Sequence, residues 1–158
     1  MIEKYFEGVV PAKSKDELSK NLKLNDIKKH MDNFELHSAL AEIWKFVNTV
    51  NKYVNDNKPW ELEKTDKKRL AVVMYNLAES LRMMAILLKP FMPATADEIA
   101  LQLGMKNFDK QRLKDVKFGK LGRSKILKSN ILFTKVKEEN TMVDKAENPA
   151  KKEKVENV

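Results

Sequence analysis

The chain of 158 residues contains no cysteine, which excludes disulfides and thiolate metal sites. Its two histidines, His30 and His37, stand without the further ligands a metal cluster needs, so no metal site is expected. Glycine is scarce, with four in all, and no Gly-rich run exists that could cradle a phosphate. No apolar run reaches the roughly 20 residues needed to cross a bilayer, so no membrane partner is expected. The first residues carry Glu3 and Glu7 and lack an apolar core, and so do not read as a signal peptide. A cytoplasmic location is the default expectation. No internal repeat is visible. From Lys137 to Val158 aromatics are absent and the charge is mixed. Such a stretch cannot bury enough surface to offset its ordering entropy. Residues 137–158 are therefore expected to be a disordered polar tail or linker, leaving 1–136 as a single domain.

What is present is charge of one sign and helical periodicity. Hydrophobic residues make up 42% of the chain, the net charge is +8 and the pI about 9.5. That balance favours a polyanionic partner. Between Lys106 and Lys137, eleven cations face only Asp109 and Asp115. Gly119, Gly122 and Ser124 make this stretch a basic, loop-rich C-terminal extension, read either as a solvated tail or as a contact for RNA backbone. Ile131-Leu132-Phe133 is its expected apolar anchor.

The pattern elsewhere predicts an all-α fold. Apolar residues at 1, 2, 5 and 6 suggest a short first helix closed by Gly8. One or two short helices follow between about 15 and 31. Leu36, Leu40, Ile43, Val47, Val50 and Val54 step by four and three and form one stripe of a long helix. Phe34 and Trp44 are expected to widen that stripe into the core, and Asp32 or Asn33 to cap its start. A second regular stripe, from Leu70 through Met74, Leu77, Leu81 and Met84 to Leu88, predicts another long helix, with Thr65 or Asp66 as its cap. The two long helices are expected to pack antiparallel, because the connection between them is short. Pro93 suits the first turn of a last helix, and Gly104 its end.

Between the two long helices lies the run Asn51-Lys52-Tyr53-Val54-Asn55-Asp56-Asn57-Lys58-Pro59-Trp60. Pro59 breaks the helix and is expected to push Lys58 toward extended backbone. Trp60 then follows a forced corner. A tryptophan there is commonly a staple folded onto its own core. The alternative is a flat ring beside amide side chains, the combination that grips an unstacked base.

With Glu61-Leu62-Glu63-Lys64, this run resembles the Asn-Lys-Tyr, five-residue gap, Pro-Trp-x-Leu-x-Lys signature of the anticodon-binding domain of methionyl-tRNA synthetases. The later block Leu88-Lys89-Pro90-Phe91-Met92-Pro93-Ala94-Thr95-Ala96-Asp97-Glu98-Ile99, ending Gln102-Leu103-Gly104, is similar to a second element of that family. Order and spacing agree, and the resemblance covers roughly residues 1 to 135. It implies a helical bundle of the class I synthetase anticodon-binding type that binds the anticodon loop of a methionine tRNA. The implied site is Trp60 as a stacking ring, Asn51 and Asn55 as readers of base edges, Pro59 fixing the tryptophan, and Lys58 on a phosphate. The resemblance also implies a parent methionine–tRNA ligase whose catalytic domain is a partner of this one. The signatures His-Ile-Gly-His and Lys-Met-Ser-Lys-Ser are missing, so no catalytic residue is expected in the chain. ATP and methionine would bind the catalytic domain, and no cofactor is expected here. An Asn-x-x-x-Arg motif that the family carries just upstream of the first helix is also missing. Thr134-Lys135 departs from the family's Leu-Phe-Pro-Arg, so no docking of that segment is carried over. Two other readings of the residues stand beside this one: a helical protein-interaction module, and an RNA binder indifferent to sequence.

Overall fold

A computed structural model of the chain describes residues 1–127 and 132–133. Its axis is a 22-residue helix, Lys67–Leu88, of which sixteen residues are buried. Around it the described chain forms α1 (Ile2–Phe6), α2 (Leu24–Asp32), α3 (Leu36–Asn57), α4 (Pro59–Thr65), α5 (the axial helix) and α6 (Pro93–Gln102), with short 3-10 turns at Ser19–Asn21, Phe108–Lys110 and Leu113–Asp115. Among the described residues there is no strand, only one antiparallel bridge between Val9 and Lys125.

Helix α5 starts where Asp66 accepts the Arg69 N–H at 2.9 Å, a side-chain cap for an otherwise orphaned donor. It is long and apolar enough to cross a membrane, which the sequence reading had not anticipated, but it is mostly buried inside the bundle. α3 returns along it with one face only: Ala39, Ile43, Phe46 and Val50 are buried. Ile43, Phe46 and Val50 each contribute about 1.5–3 kcal/mol by that burial. Phe34 does not widen this face. It lies before the helix with a left-handed φ of 60° and is 87% exposed. Trp44 is 45% exposed and Leu81 41%, so neither is a core residue. Asp32 closes α2 and Asn33 caps its far end, whereas α3 begins after Glu35 without a side-chain cap. The connection after Lys58 is itself helical, as α4.

Pro93 opens α6 as expected, and the chain turns at Gly104 with φ 65°. A Cβ there would stand 2.4 Å from the Lys125 carbonyl oxygen, so only glycine lets α6 and the extension cross so closely. Residues 106–127 are not a solvated tail. Phe108, Val116 and Leu121 are buried. Their backbone is held by a buried pair on α5, Glu79 and Arg82, joined at 2.8 Å. Arg82 also donates to the carbonyls of Asp115 at 3.1 Å and Lys117 at 2.6 Å. The Leu121 N–H donates to the Glu79 carboxylate. The Tyr75 hydroxyl lies 3.2 Å from the Leu121 carbonyl, and burial beside Glu79 pushes its pKa up to about 12, keeping it a donor. Val10 and Ile126 complete the clamp by donating to Ser124 and Gly8 at 2.9 and 2.7 Å. Leu132 and Phe133 are exposed rather than buried as the expected anchor, while Ile131 lies outside the described residues, as do 137–158 and the boundary expected at 136.

Candidate nucleic-acid interface

The corner between α3 and α4 is built from the backbone outward. Asn57 ends α3, and its side-chain amide donates back to the Tyr53 carbonyl at 2.9 Å. Lys58 then turns into the left-handed region, φ 44° and ψ 65°, rather than the extended conformation expected before a proline. Its N–H still bonds the Val54 carbonyl at 2.9 Å. Pro59 takes the first position of α4, where no N–H is needed. Its ring is fully buried and staples the corner to the core. Trp60, one residue on, is 46% exposed. The staple is therefore the proline, and the indole is left half in water.

A polar network fixes this corner from below. Arg69, in the first turn of α5, forms a two-pronged pair with Glu17 at 2.5 and 2.8 Å and donates to the Asn57 side chain at 2.6 Å. Tyr53 donates its hydroxyl to Glu17 at 2.7 Å. The Arg69 hydrogen bonds hold the Glu17 carboxyl below the usual glutamate range, with Tyr53 adding to the effect. Burial, reinforced by Glu17, raises the Tyr53 phenol well above its ordinary value. Glu17 is placed by Asn76, a fully buried residue of α5 that accepts the Glu17 N–H at 2.9 Å and donates to the Lys15 carbonyl at 2.9 Å. None of Glu17, Arg69 or Asn76 was singled out from the sequence. One signal was available for Arg69, a cation in the first turn of a helix, where the macrodipole disfavours it unless a carboxylate is near.

Asn51 and Asn55 lie one helical turn apart on α3, both exposed. Among the described residues neither amide is taken up by another group, so both present donors and acceptors to solvent. Lys58 is exposed and pairs with Glu61 at 3.1 Å, an interaction screened by water and worth little. The structure thus gathers four of the five expected residues, Asn55, Lys58, Pro59 and Trp60, around the corner itself. Asn51 stands a turn further back and lines an apolar groove of about 550 Å³ together with Val47, Val54, Leu77 and Leu81. That groove runs on to Leu127, which also lines a second cleft of about 830 Å³. The second cleft carries Lys106, Lys120, Arg123 and Lys125. Among the described residues none of these four meets a carboxylate at ion-pair distance. Asp115, in the same cleft, is turned to the Arg112 N–H at 2.9 Å. No cluster that could hold a metal ion occurs among the described residues.

The chain as a whole is similar to known proteins in both sequence and fold. The family model described as the anticodon-binding domain of tRNA ligase matches residues 19–156. The chain is 38% identical to a methionine–tRNA ligase of Caldanaerobacter subterraneus subsp. tengcongensis, over 100% of this chain and 27% of that relative. It is 41% identical to the methionine–tRNA ligase of Listeria monocytogenes, over 66% of this chain and 17% of that relative. In three dimensions it is similar to the apo form of Mycobacterium tuberculosis methionyl-tRNA synthetase, with a TM-score of 0.72 and 26% identity over 83% of this chain and 28% of that one. The same enzyme bound by methionyl-adenylate gives 0.74 and 26% over 85% and 28%. The chain spans about a quarter or less of the length of the curated relatives it matches.

Proposed function

The chain belongs to the family of anticodon-binding domains of tRNA ligases, and from that membership we propose that it binds the anticodon loop of a methionine tRNA on behalf of a parent methionine–tRNA ligase. The observation that carries the reading is Trp60: a half-exposed indole on a corner held by the buried Pro59 and by the bonds of Asn57 to Tyr53 and Arg69. Base stacking on such a ring contributes about 1–3 kcal/mol per base. Asn55 and Asn51 supply amides that can donate and accept along a base edge, and Lys58 supplies a charge for a phosphate. Pro59 holds the ring in place without touching RNA. The four cations of the second cleft add sequence-independent attraction to the RNA backbone, with the salt dependence that implies.

In this reading aminoacylation, ATP and methionine belong to the catalytic domain of the parent enzyme, which is the second partner. This chain uses no cofactor of its own, binds no membrane and works in the cytoplasm, where protein synthesis supplies the tRNA. The test is a binding titration at low salt with two RNA stem-loops that differ only in the anticodon. The methionine anticodon should bind more tightly. Equal binding of both loops would leave a sequence-indifferent RNA binder, and no binding of either would leave a protein-docking module.

A further inference from the structure

Helix α3 has a second face that the core does not use. At 3.6 residues per turn, His37, Trp44, Asn48 and Asn55 fall on one stripe, turned away from Ile43, Phe46 and Val50, and along its edge stand Leu40, which packs against the core, and Asn51, which lines the groove toward α5. Asn48, Asn51 and Asn55 are exposed, and Trp44 is 45% exposed in an open depression of about 450 Å³ beside His37, Leu40, Ala41 and Asn48, with Lys45 at its border. No acidic residue, lysine or arginine lies on the stripe. The charges sit on its flank, where Lys45 pairs with Glu42 at 2.5 Å and Lys52 with Asp56 at 2.6 Å. The outer face of a water-bathed helix is ordinarily charged. This one is made of amides and an indole, the same chemistry as the corner at Trp60, and it is continuous with it through Asn51 and Asn55.

The geometry points to Trp44 as a second stacking platform for single-stranded RNA, taking a base of the same loop outside the anticodon. The inference rests on the functional reading above and extends its footprint along α3. At a rise of about 1.5 Å per residue, Trp44 lies ~10 Å from Asn51 and ~16 Å from Asn55 along the axis. At ~3.4 Å per stacked nucleotide, that span corresponds to about three to five nucleotides. A base placed on Trp44 and a base placed on Trp60 can therefore belong to one loop, with the asparagines between them. A protein helix docking on this face would call for aliphatic residues where Asn48, Asn51 and Asn55 stand, because buried amides without partners are costly.

The chain has two tryptophans, Trp44 and Trp60, which makes the idea directly measurable. In Trp60→Phe, Trp44 is the sole indole. Saturating this protein with the methionine anticodon stem-loop should quench and shift Trp44 emission, and unchanged emission at saturation would overturn the proposal. In the second arm, Trp44→Ala and Trp44→Phe are compared with the parent sequence. Trp44→Ala should weaken stem-loop binding about tenfold and should leave the preference for the methionine anticodon unchanged. Trp44→Phe, which keeps a ring, should recover most of the affinity. Melting curves on each variant separate lost contact from lost fold. If Trp60→Ala weakens binding while Trp44→Ala does not, Trp44 is no RNA contact, although the anticodon reading stands. If neither Trp60→Ala nor an altered anticodon changes binding, that reading fails and this inference fails with it.

Discussion

Helices α3 and α5 are both 22 residues long and show nearly the same four-and-three spacing of apolar residues, yet α5 buries sixteen residues and α3 four. The difference lies in what surrounds them. α5 has neighbours on nearly every side, so even Asn76, Glu79, Ser80 and Arg82 are buried, all but Ser80 with partners among the described residues. α3 meets the bundle along one face and keeps the opposite one in water, where Trp44, Asn51 and Asn55 stand. The axial helix uses Asn76, Glu79 and Arg82 to hold the chain together, whereas the outer helix ties Tyr53 and Asn57 into the corner and leaves Asn51 and Asn55 facing solvent.

The contrast breaks most sharply at Arg82. Replacing it with methionine leaves Glu79 buried and unpaired, a change expected to cost about 3–5 kcal/mol of stability. Lys45→Met, on the exposed flank of α3, should stay within about 0.5 kcal/mol. Urea unfolding of both variants measures the gap, and a mild effect at Arg82 would show that the buried pair does not hold the extension. The next largest effect is on binding. Trp60→Ala should lower affinity for the methionine anticodon stem-loop by about 1–3 kcal/mol while the melting temperature barely moves, because the ring is half in water and Pro59 does the stapling. A mutant that unfolds instead would make Trp60 a core residue after all.

Smaller again is Asn51→Ala or Asn55→Ala. Each removes one amide without opening a cavity, and the expected loss is about 0.5–1.5 kcal/mol of RNA binding with stability unchanged. The weakest effect is set by pH. The Arg69 hydrogen bonds lower the Glu17 carboxyl in the folded chain, so Glu17 favours the folded corner above the ordinary glutamate value. That contribution is lost as pH falls through the lowered folded value. In a Trp44→Phe background, Trp60 emission should therefore report a loosening of the corner at pH values below the ordinary glutamate range, and Glu17→Gln should abolish this acid step.

Much of this was legible in the residues. The two long helices, the Asp66 cap, the start of α6 at Pro93 and the corner at Pro59 follow from periodicity and from what proline and aspartate do to a backbone. What periodicity could not give was the width of each buried face. Trp44 is one position from Ile43 and next to the Leu40–Val47 rows, so a stripe drawn through apolar residues takes it in, but among the described residues it is 45% exposed. Leu81 on α5 fails in the same way. Phe34 was drawn into α3 because hydrophobicity says nothing about a left-handed φ. Lys58 was expected extended, since proline disfavours the right-handed helical region for its predecessor, but the bond from its N–H to Val54 is kept in a left-handed turn. The network under the corner was out of reach because Glu17, Arg69 and Asn76 are joined across up to 59 positions of sequence. The difference between α3 and α5 therefore lies in packing, which periodicity does not carry.

The clamp on residues 106–127 carries a consequence for amide hydrogen exchange. Loop amides ordinarily exchange with solvent through small local openings. The Leu121 N–H is different, since it is bonded to a carboxylate that is itself locked inside the bundle. Deuterium can reach it only when Glu79 lets go, which means when the axial helix loses its surroundings. Leu121 should consequently be among the last amides to label, on the timescale of the helix core, although it stands in a segment without regular secondary structure.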